Sequence, residues 1–263
     1  MSIFNLRNKK IIITGAFGLI GSELSKVLVR NKNKLILLDF NINKNSKNYI
    51  FFKKKGVSIF DIDLKDKRNL EQFFKQKNNY LRKTNTLVNL ASIDRKISDE
   101  NLFNVSFHDY SNKLIKEMVE NNLIGNVNIC QEICKYFVKN KIKNGNIINV
   151  ASTYSLVTPN QNFYDGKKNK PIDYVVSKGS IPILTKYIAT TYGKFGIRCN
   201  YLVPHGVINK PSKNILKKFK KFSPIGRPCS INEIIDPIIF LISDSSKYMT
   251  GSSLVVDGGW TAW

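Results

Sequence analysis

Short apolar runs rich in β-branched residues alternate along the chain with longer stretches whose apolar residues return every three or four positions. KIIIT (10–14), KLILLD (34–39), VSIFDI (57–62), TLVNL (86–90), NIINV (146–150) and the runs at 198–203 and 253–256 read as buried strands. Between them, Leu19, Ile20, Leu24, Val27 and Leu28 share one face of a helix over 19–31, and Leu70, Phe73 and Phe74 share one over 66–77. Further helical stretches fall at about 109–138, 174–195 and 230–241. Strands alternating with helices predict an α/β fold: a doubly wound, seven-stranded parallel sheet flanked by helices on both faces. No repeat or composition break divides it, so one domain is expected over 1–263. The least regular segments, 155–173 and 207–228, are the expected substrate loops.

Composition narrows the class. At 263 residues and 42% hydrophobic content the chain has enough apolar surface for a full core. No run of about 18 apolar residues is present, and the start MSIFNLRNKKIIITG lacks the apolar core of a secretory signal. A cytoplasmic protein with no membrane partner is the expectation. Four cysteines do not make a disulfide framework at this length, and Cys130 and Cys134 lack the second Cys/His pair a metal site needs, so core packing is expected and no metal. The net charge of +23 invites a nucleic-acid reading. The lysines are scattered, however, and not interleaved with aromatics as a stacking platform would be, so a solvated basic surface is expected and no dedicated nucleic-acid partner.

Residues 14–21 read TGAFGLIG, between a predicted strand and a predicted helix. Glycines there allow a tight turn and let a pyrophosphate approach the free N–H groups of the helix start. Alone, such a turn is equally an ordinary loop. Asp39 strengthens the reading: it ends the second strand, 24 residues after Gly15, where a carboxylate accepts from both ribose hydroxyls of an adenosine. It would repel a 2′-phosphate, and residues 40–43 (FNIN) supply no cation, which favours NAD over NADP.

Tyr174 and Lys178 stand as YVVSK on a predicted helix, at i and i+4 on one face. A free tyrosine, with a pKa of about 10, is a poor base at neutral pH; a neighbouring ammonium favours its phenolate. Ser152 follows the fifth strand at its carboxyl end, where α/β sheets bind ligands, and its hydroxyl suits a substrate oxygen. Each feature alone is also an ordinary helix face or turn.

Together these features resemble the short-chain dehydrogenase/reductase family, in order over nearly the whole chain. TGAFGLIG is similar to the family's glycine motif, Asp63-Leu64 to its adenine-contacting pair, and NLAS (89–92) to its NNAG-type motif. Asn122 stands where the family has a catalytic Asn. Pro204 and Gly206 resemble the Pro-Gly step after the sixth strand, and TGSSLVVDGGW (250–260) the closing strand and turn. The resemblance implies a Rossmann-type domain, a homodimer or homotetramer, and hydride transfer between a carbinol or carbonyl and NAD. It implies cofactor contacts from Gly15, Phe17, Gly18, Leu19, Ile20, Asp39, Asp63, Leu64, Asn89, Ala91, Tyr174, Lys178, Pro204, Gly206 and Val207. In the implied catalytic set, Tyr174 exchanges the substrate proton and Lys178 holds the ribose and lowers the Tyr174 pKa. Ser152 polarises the substrate oxygen, and Asn122 supports a water leading from Lys178.

Some features depart from the family pattern. The glycines are spaced TGxxGxxG, as in extended members that epimerise or dehydrate sugar nucleotides while retaining NAD, whereas VVDGG resembles the shorter oxidoreductases. A non-catalytic nucleotide-binding or nucleic-acid-associated protein is a third reading, motivated by the charge. Ser152 and Tyr174 lie 22 positions apart, so the extra residues are expected to form a loop over the site. His205 follows Pro204 in place of the usual Gly and is a candidate substrate contact beside Ser152 and Tyr174. The insert and the C-terminal half resemble flagellin-modification oxidoreductases of the PtmA type, which implies a small-molecule substrate of sugar or nucleotide-sugar class in surface-glycan biosynthesis. Lys167, Lys168 and Lys170 could then meet a phosphate, but solvated lysines on a loop are the expected reading.

Overall fold

The computed structural model describes residues 4, 6, 9–95, 104–164 and 169–262. Seven strands, β1 (Lys10–Thr14), β2 (Lys34–Asp39), β3 (Ser58–Asp61), β4 (Thr86–Asn89), β5 (Gly145–Val150), β6 (Ile197–Pro204) and β7 (Ser253–Val256), form one sheet in the order β3-β2-β1-β4-β5-β6-β7. Every pairing is parallel. The winding direction reverses between β1 and β4, where Thr14 and Asn89 are in register. A crevice at the carboxyl ends of strands opens at such a reversal.

Alternate residues feed opposite faces. Ile12 packs with Leu70, Phe73 and Phe74 of α3 (Lys67–Gln76). On that face lie also Ile129 and Ile133 of α6 (Gly125–Lys139) and Ile188 of α8 (Ile181–Tyr192). Ile11 and Ile13 pack with Leu24 and Leu28 of α1 (Leu19–Arg30), Phe52 of α2 (Lys47–Lys54), and Ile234 and Ile238 of α10 (Asn232–Ile242). Cys130, Cys134 and Cys199 are free thiols in the first of these cores. A separate small cluster, Phe163, Tyr164, Phe219 and Trp260, sits away from both.

The strand runs coincide with the expected ones to within a residue or so at each end, but several helices differ. Helix α2 was not expected, because only Phe52 of its residues is buried; Ser46 caps it, accepting from Tyr49 N. The expected helix at 66–77 ends at Gln76 and is followed by the short α4 (Asn78–Leu81). The expected helix at 109–138 is α5 (Asn112–Val119), a π turn (Glu120–Ile124) and α6. The expected helix at 174–195 is two: α7 (Ile172–Gly179) and α8, with Pro182 in the first turn of α8. Proline lacks the N–H that would have continued the ladder to Lys178. The expected irregular segment 207–228 contains α9 (Lys213–Phe222), capped by Ser212 and turned inward through Phe219. No helix among the described residues is long and apolar enough to cross a membrane.

Candidate active site

Two cavities meet over the winding reversal. One, of about 250 Å³, is lined by Asp39, Asp63, Leu64 and Ala91; the other, of about 450 Å³, by Ser152, Tyr174, Lys178, Pro204, His205, Gly206 and Val207. Gly15, Gly18, Leu90 and Ser92 border both, so the pair forms one groove.

The glycine turn is shaped for close approach. Gly15 has φ +60°, and a Cβ there would lie 2.8 Å from the Ala91 nitrogen. A Cβ on Gly21 would lie 2.2 Å from the Gly15 carbonyl oxygen. Gly18 caps α1 without a side-chain bond, and Leu19 and Ile20 line the larger cavity at that helix start. Uncapped amides at a helix start favour an anion. Asp39 ends β2 and accepts from Phe17 N (2.7 Å) and Phe40 N (2.8 Å). The next turn is closed by Asp61, which accepts from Asn41 N and Ile42 N. The residues present therefore fit a dinucleotide: a bare-backbone cradle, free amides at a helix start, and a carboxylate fixed at the ribose position.

Two expected cofactor contacts fall behind the groove. Phe17 engages its amide with Asp39 and turns its ring to Phe52 and Tyr49, at 5.9 and 6.3 Å between centroids. Asn89 is buried; its Oδ1 accepts from Thr14 Oγ1 (2.7 Å), and that hydroxyl oxygen in turn accepts from Leu90 N and Ala91 N. Both residues hold the wall and do not line it.

At the other end, Tyr174 and Lys178 face the larger cavity from α7, with Ser152 at the end of β5 beside them. Lys178 is buried and donates to the Val150 carbonyl (3.0 Å); its Nζ is 5.9 Å from the Tyr174 ring centroid. Burial pulls its pKa down to about 8, against the charge of Asp94. The Tyr174 phenol is pushed well above its usual range, by burial first and then by Asp94, and the hydrogen bond from Ser152 opposes this. The expected lowering of Tyr174 is thus not found; desolvation dominates and raises the phenol. The helix start is pinned by buried Asp173, which accepts from Tyr174 N (2.6 Å) and from Arg95 Nε (3.3 Å).

Asn122 lies in the π turn, a local widening that frees helical carbonyls. Its amide is taken up by protein: Oδ1 accepts from Ile93 N, and Nδ2 donates to Ile93 O and Ser177 Oγ. Its carbonyl accepts from Asn126 Nδ2. The Asn122 side chain thus ties the β4 loop to α7.

His205 stacks on Trp260 (4.0 Å between centroids), and its Nδ1 shares a hydrogen bond with Thr153 Oγ1 (2.9 Å). Its Nε2 is buried with no hydrogen-bond partner among the described residues, and burial lowers its pKa to about 4. Gly206 is forced: its φ is +54°, and a Cβ would lie 2.3 Å from the Phe219 ring. Lys167 and Lys168 lie outside the described residues. Lys170 is not a free phosphate ligand; it is buried and paired with Asp94 at 2.5 Å. Sequence reasoning missed Asp94, Arg95, Asp173, Tyr154, Tyr164 and Trp260. The Asp directly before Tyr174 and the inward spacing of Ile215, Phe219 and Phe222 were available signals.

A family model described as enoyl-(acyl carrier protein) reductase matches residues 15–261. The chain is 30% identical over 260 residues to the post-translational flagellin modification protein A of Campylobacter coli, covering 97% of this chain and 99% of that one. It is 26% identical to the NADH-dependent L-xylulose reductase of Ambrosiozyma monospora, over 96% of this chain and 94% of that one. Among solved structures, a short-chain dehydrogenase from Leptospira borgpetersenii with bound NAD+ superposes with a TM-score of 0.81 at 26% identity, covering 96% and 92% of the two chains.

Proposed function

The chain belongs to the short-chain dehydrogenase/reductase family, and from that premise we propose that it is a cytoplasmic NAD-dependent oxidoreductase acting on a carbinol or carbonyl of a sugar-like or nucleotide-sugar substrate. The observation that carries the reading is one groove with Asp39 at one end and Ser152, Tyr174 and Lys178 at the other. Gly15, Gly18 and the start of α1 would hold the pyrophosphate, Asp39 the adenosine ribose, and Lys178 the nicotinamide ribose. Bound NAD would supply the hydride acceptor or donor. Ser152 orients the substrate oxygen. Tyr174 takes its proton in oxidation and returns it in reduction, and Lys178 favours the phenolate.

The substrate wall comes from the turn after β5 and from the described parts of 155–173 and 207–228. It joins hydroxyls (Ser152, Tyr154, Tyr164) to an aromatic and aliphatic side (Phe163, Ile215, Phe219). A carbohydrate presents both surfaces: hydroxyls at its edge and C–H groups on its faces. The flagellin-modification relative supports a surface-glycan role. The large exposed side chains of Val176, Ile183 and Tyr187 along α7 and α8 support a homodimer or homotetramer. The test is a panel of sugars and nucleotide sugars with NAD, followed by NADH absorbance. We expect net NADH from at least one oxidisable sugar. Turnover of a sugar nucleotide without net NADH favours the epimerase or dehydratase reading, and salt-sensitive DNA binding without turnover favours the non-catalytic one.

A further inference from the structure

The segment joining Ser152 to Tyr174 delivers an ammonium that the Tyr174–Lys178 pair does not require. Lys170 stands four residues before Tyr174 and is 7% exposed. Its Nζ lies 2.5 Å from Asp94 Oδ1 and 4.3 Å from the Tyr174 ring centroid. Its backbone N–H donates to Gln161 Oε1 (3.2 Å), which fixes the stem of the side chain. Asp94 arrives from the connection after β4, 76 positions away, with its side chain 48% exposed. All three residues line the larger cavity.

The two charges push the phenol in opposite directions. A carboxylate disfavours phenolate, and an ammonium over the ring favours it. Lys170 is the ammonium nearer to the ring centre; Lys178 is 5.9 Å from the same centroid and engaged with Val150 O. Among the described residues, the other titratable groups around the phenol are engaged elsewhere. Tyr154, from the turn after β5, is bonded hydroxyl to hydroxyl with Tyr164 (2.7 Å). On α7, Asp173 is paired with Arg95, which also binds Glu117 of α5. The Tyr110 phenol is held neutral by burial and by nearby Asp173, and Glu120 of the π turn is exposed. Across the cavity His205 is neutral.

We propose that Lys170 is a positioning residue that sets the proton affinity of Tyr174, its ammonium offsetting Asp94 from the face of the phenol ring. The inference rests on the reading of Tyr174 as the proton-handling group, and it gives the long 152–174 segment a chemical task. Without Lys170, Asp94 opposes the phenolate that turnover needs. Without Asp94, Lys170 overstabilises it.

The test needs no substrate. An aryl sulfonyl fluoride is attacked by phenolate oxygen: an O–S bond forms, fluoride leaves, and a sulfonate ester remains. The rate at one fixed alkaline pH follows the ionised fraction. Tyr174 modification, measured by peptide mass spectrometry on the full chain, is expected to slow about tenfold in Lys170→Met and to quicken about tenfold in Asp94→Asn, one pKa unit each way. The double variant is expected within about threefold of the parent, because the two charges cancel. Lys170→Arg, which keeps the charge, stays near the parent and guards against a folding effect. An unchanged or faster rate in Lys170→Met, a slower one in Asp94→Asn, or a double variant as slow as Lys170→Met overturns the proposal. Failure of the enzyme reading shows elsewhere, as a Tyr174→Phe variant that still turns over. With a substrate in hand, the acidic limb of kcat/KM for oxidation moves up about one pH unit in Lys170→Met and down in Asp94→Asn.

Discussion

The nucleotide half of the groove and its substrate half are built by different kinds of bond. At the nucleotide end the carboxylates bind backbone close by in sequence or on the neighbouring strand: Asp39 to Phe17 N and Phe40 N, Asp61 to Asn41 N and Ile42 N, Asp63 to Lys65 N. At the substrate end side chains meet side chains from remote segments: Lys170 with Asp94, Arg95 with Asp173, His205 with Thr153. A backbone-made site tolerates change in its neighbours' side chains. A side-chain-made site is sensitive to each partner and free to change specificity without moving the sheet.

The sharpest break of that contrast is Tyr174→Phe. Losing one hydroxyl at the substrate end should lower turnover by about 10²- to 10⁴-fold, the usual worth of a positioned acid–base group. NADH affinity, measured by fluorescence titration, should change little, because the nucleotide end is made elsewhere. A large loss of NADH affinity would mean that the halves are not separable.

Acid should weaken the substrate half first. His205 has its pKa lowered from the usual 6.5 to about 4, so the unfolded chain binds the proton more readily between those values. Stability is therefore full above about pH 6.5 and is lost as pH falls towards 4, by about 3 kcal/mol at most. Melting temperatures across that window should fall more steeply in the parent than in His205→Gln. Parallel slopes would show that the imidazole is not the acid-labile group.

The smallest expected effect lies at the nucleotide end. NADH should bind more tightly than NADPH, and Asp39→Ala should narrow the difference by about tenfold, the worth of one charge-assisted contact. Equal affinities in the parent would remove the ribose role of Asp39.

The same division explains what the sequence made legible. The strands, the winding, the glycine turn, Asp39 and the Tyr174–Lys178 pair are local patterns, read from runs and i, i+4 spacing. Asp94 and Lys170 are 76 positions apart, and nothing in either neighbourhood signals the other. Helix α2 was invisible because it buries a single phenylalanine, and α9 because its lysines mask the inward row of Ile215, Phe219 and Phe222. The upward shift of the Tyr174 phenol was not legible either, since desolvation is a property of the packed cavity and not of a motif.

Among the described residues, the aromatic cluster of Phe163, Tyr164, Phe219 and Trp260 has four buried members and is not continuous with either face of the sheet. Local opening follows such seams, at a free energy well below that of global unfolding. Phe163, Tyr164 and Phe219 line the larger cavity, and this wall is expected to open as a unit of its own. Its amides should exchange with deuterated solvent while those of β1 and β4 stay protected, so this wall can release a product while the Rossmann sheet beneath keeps its shape.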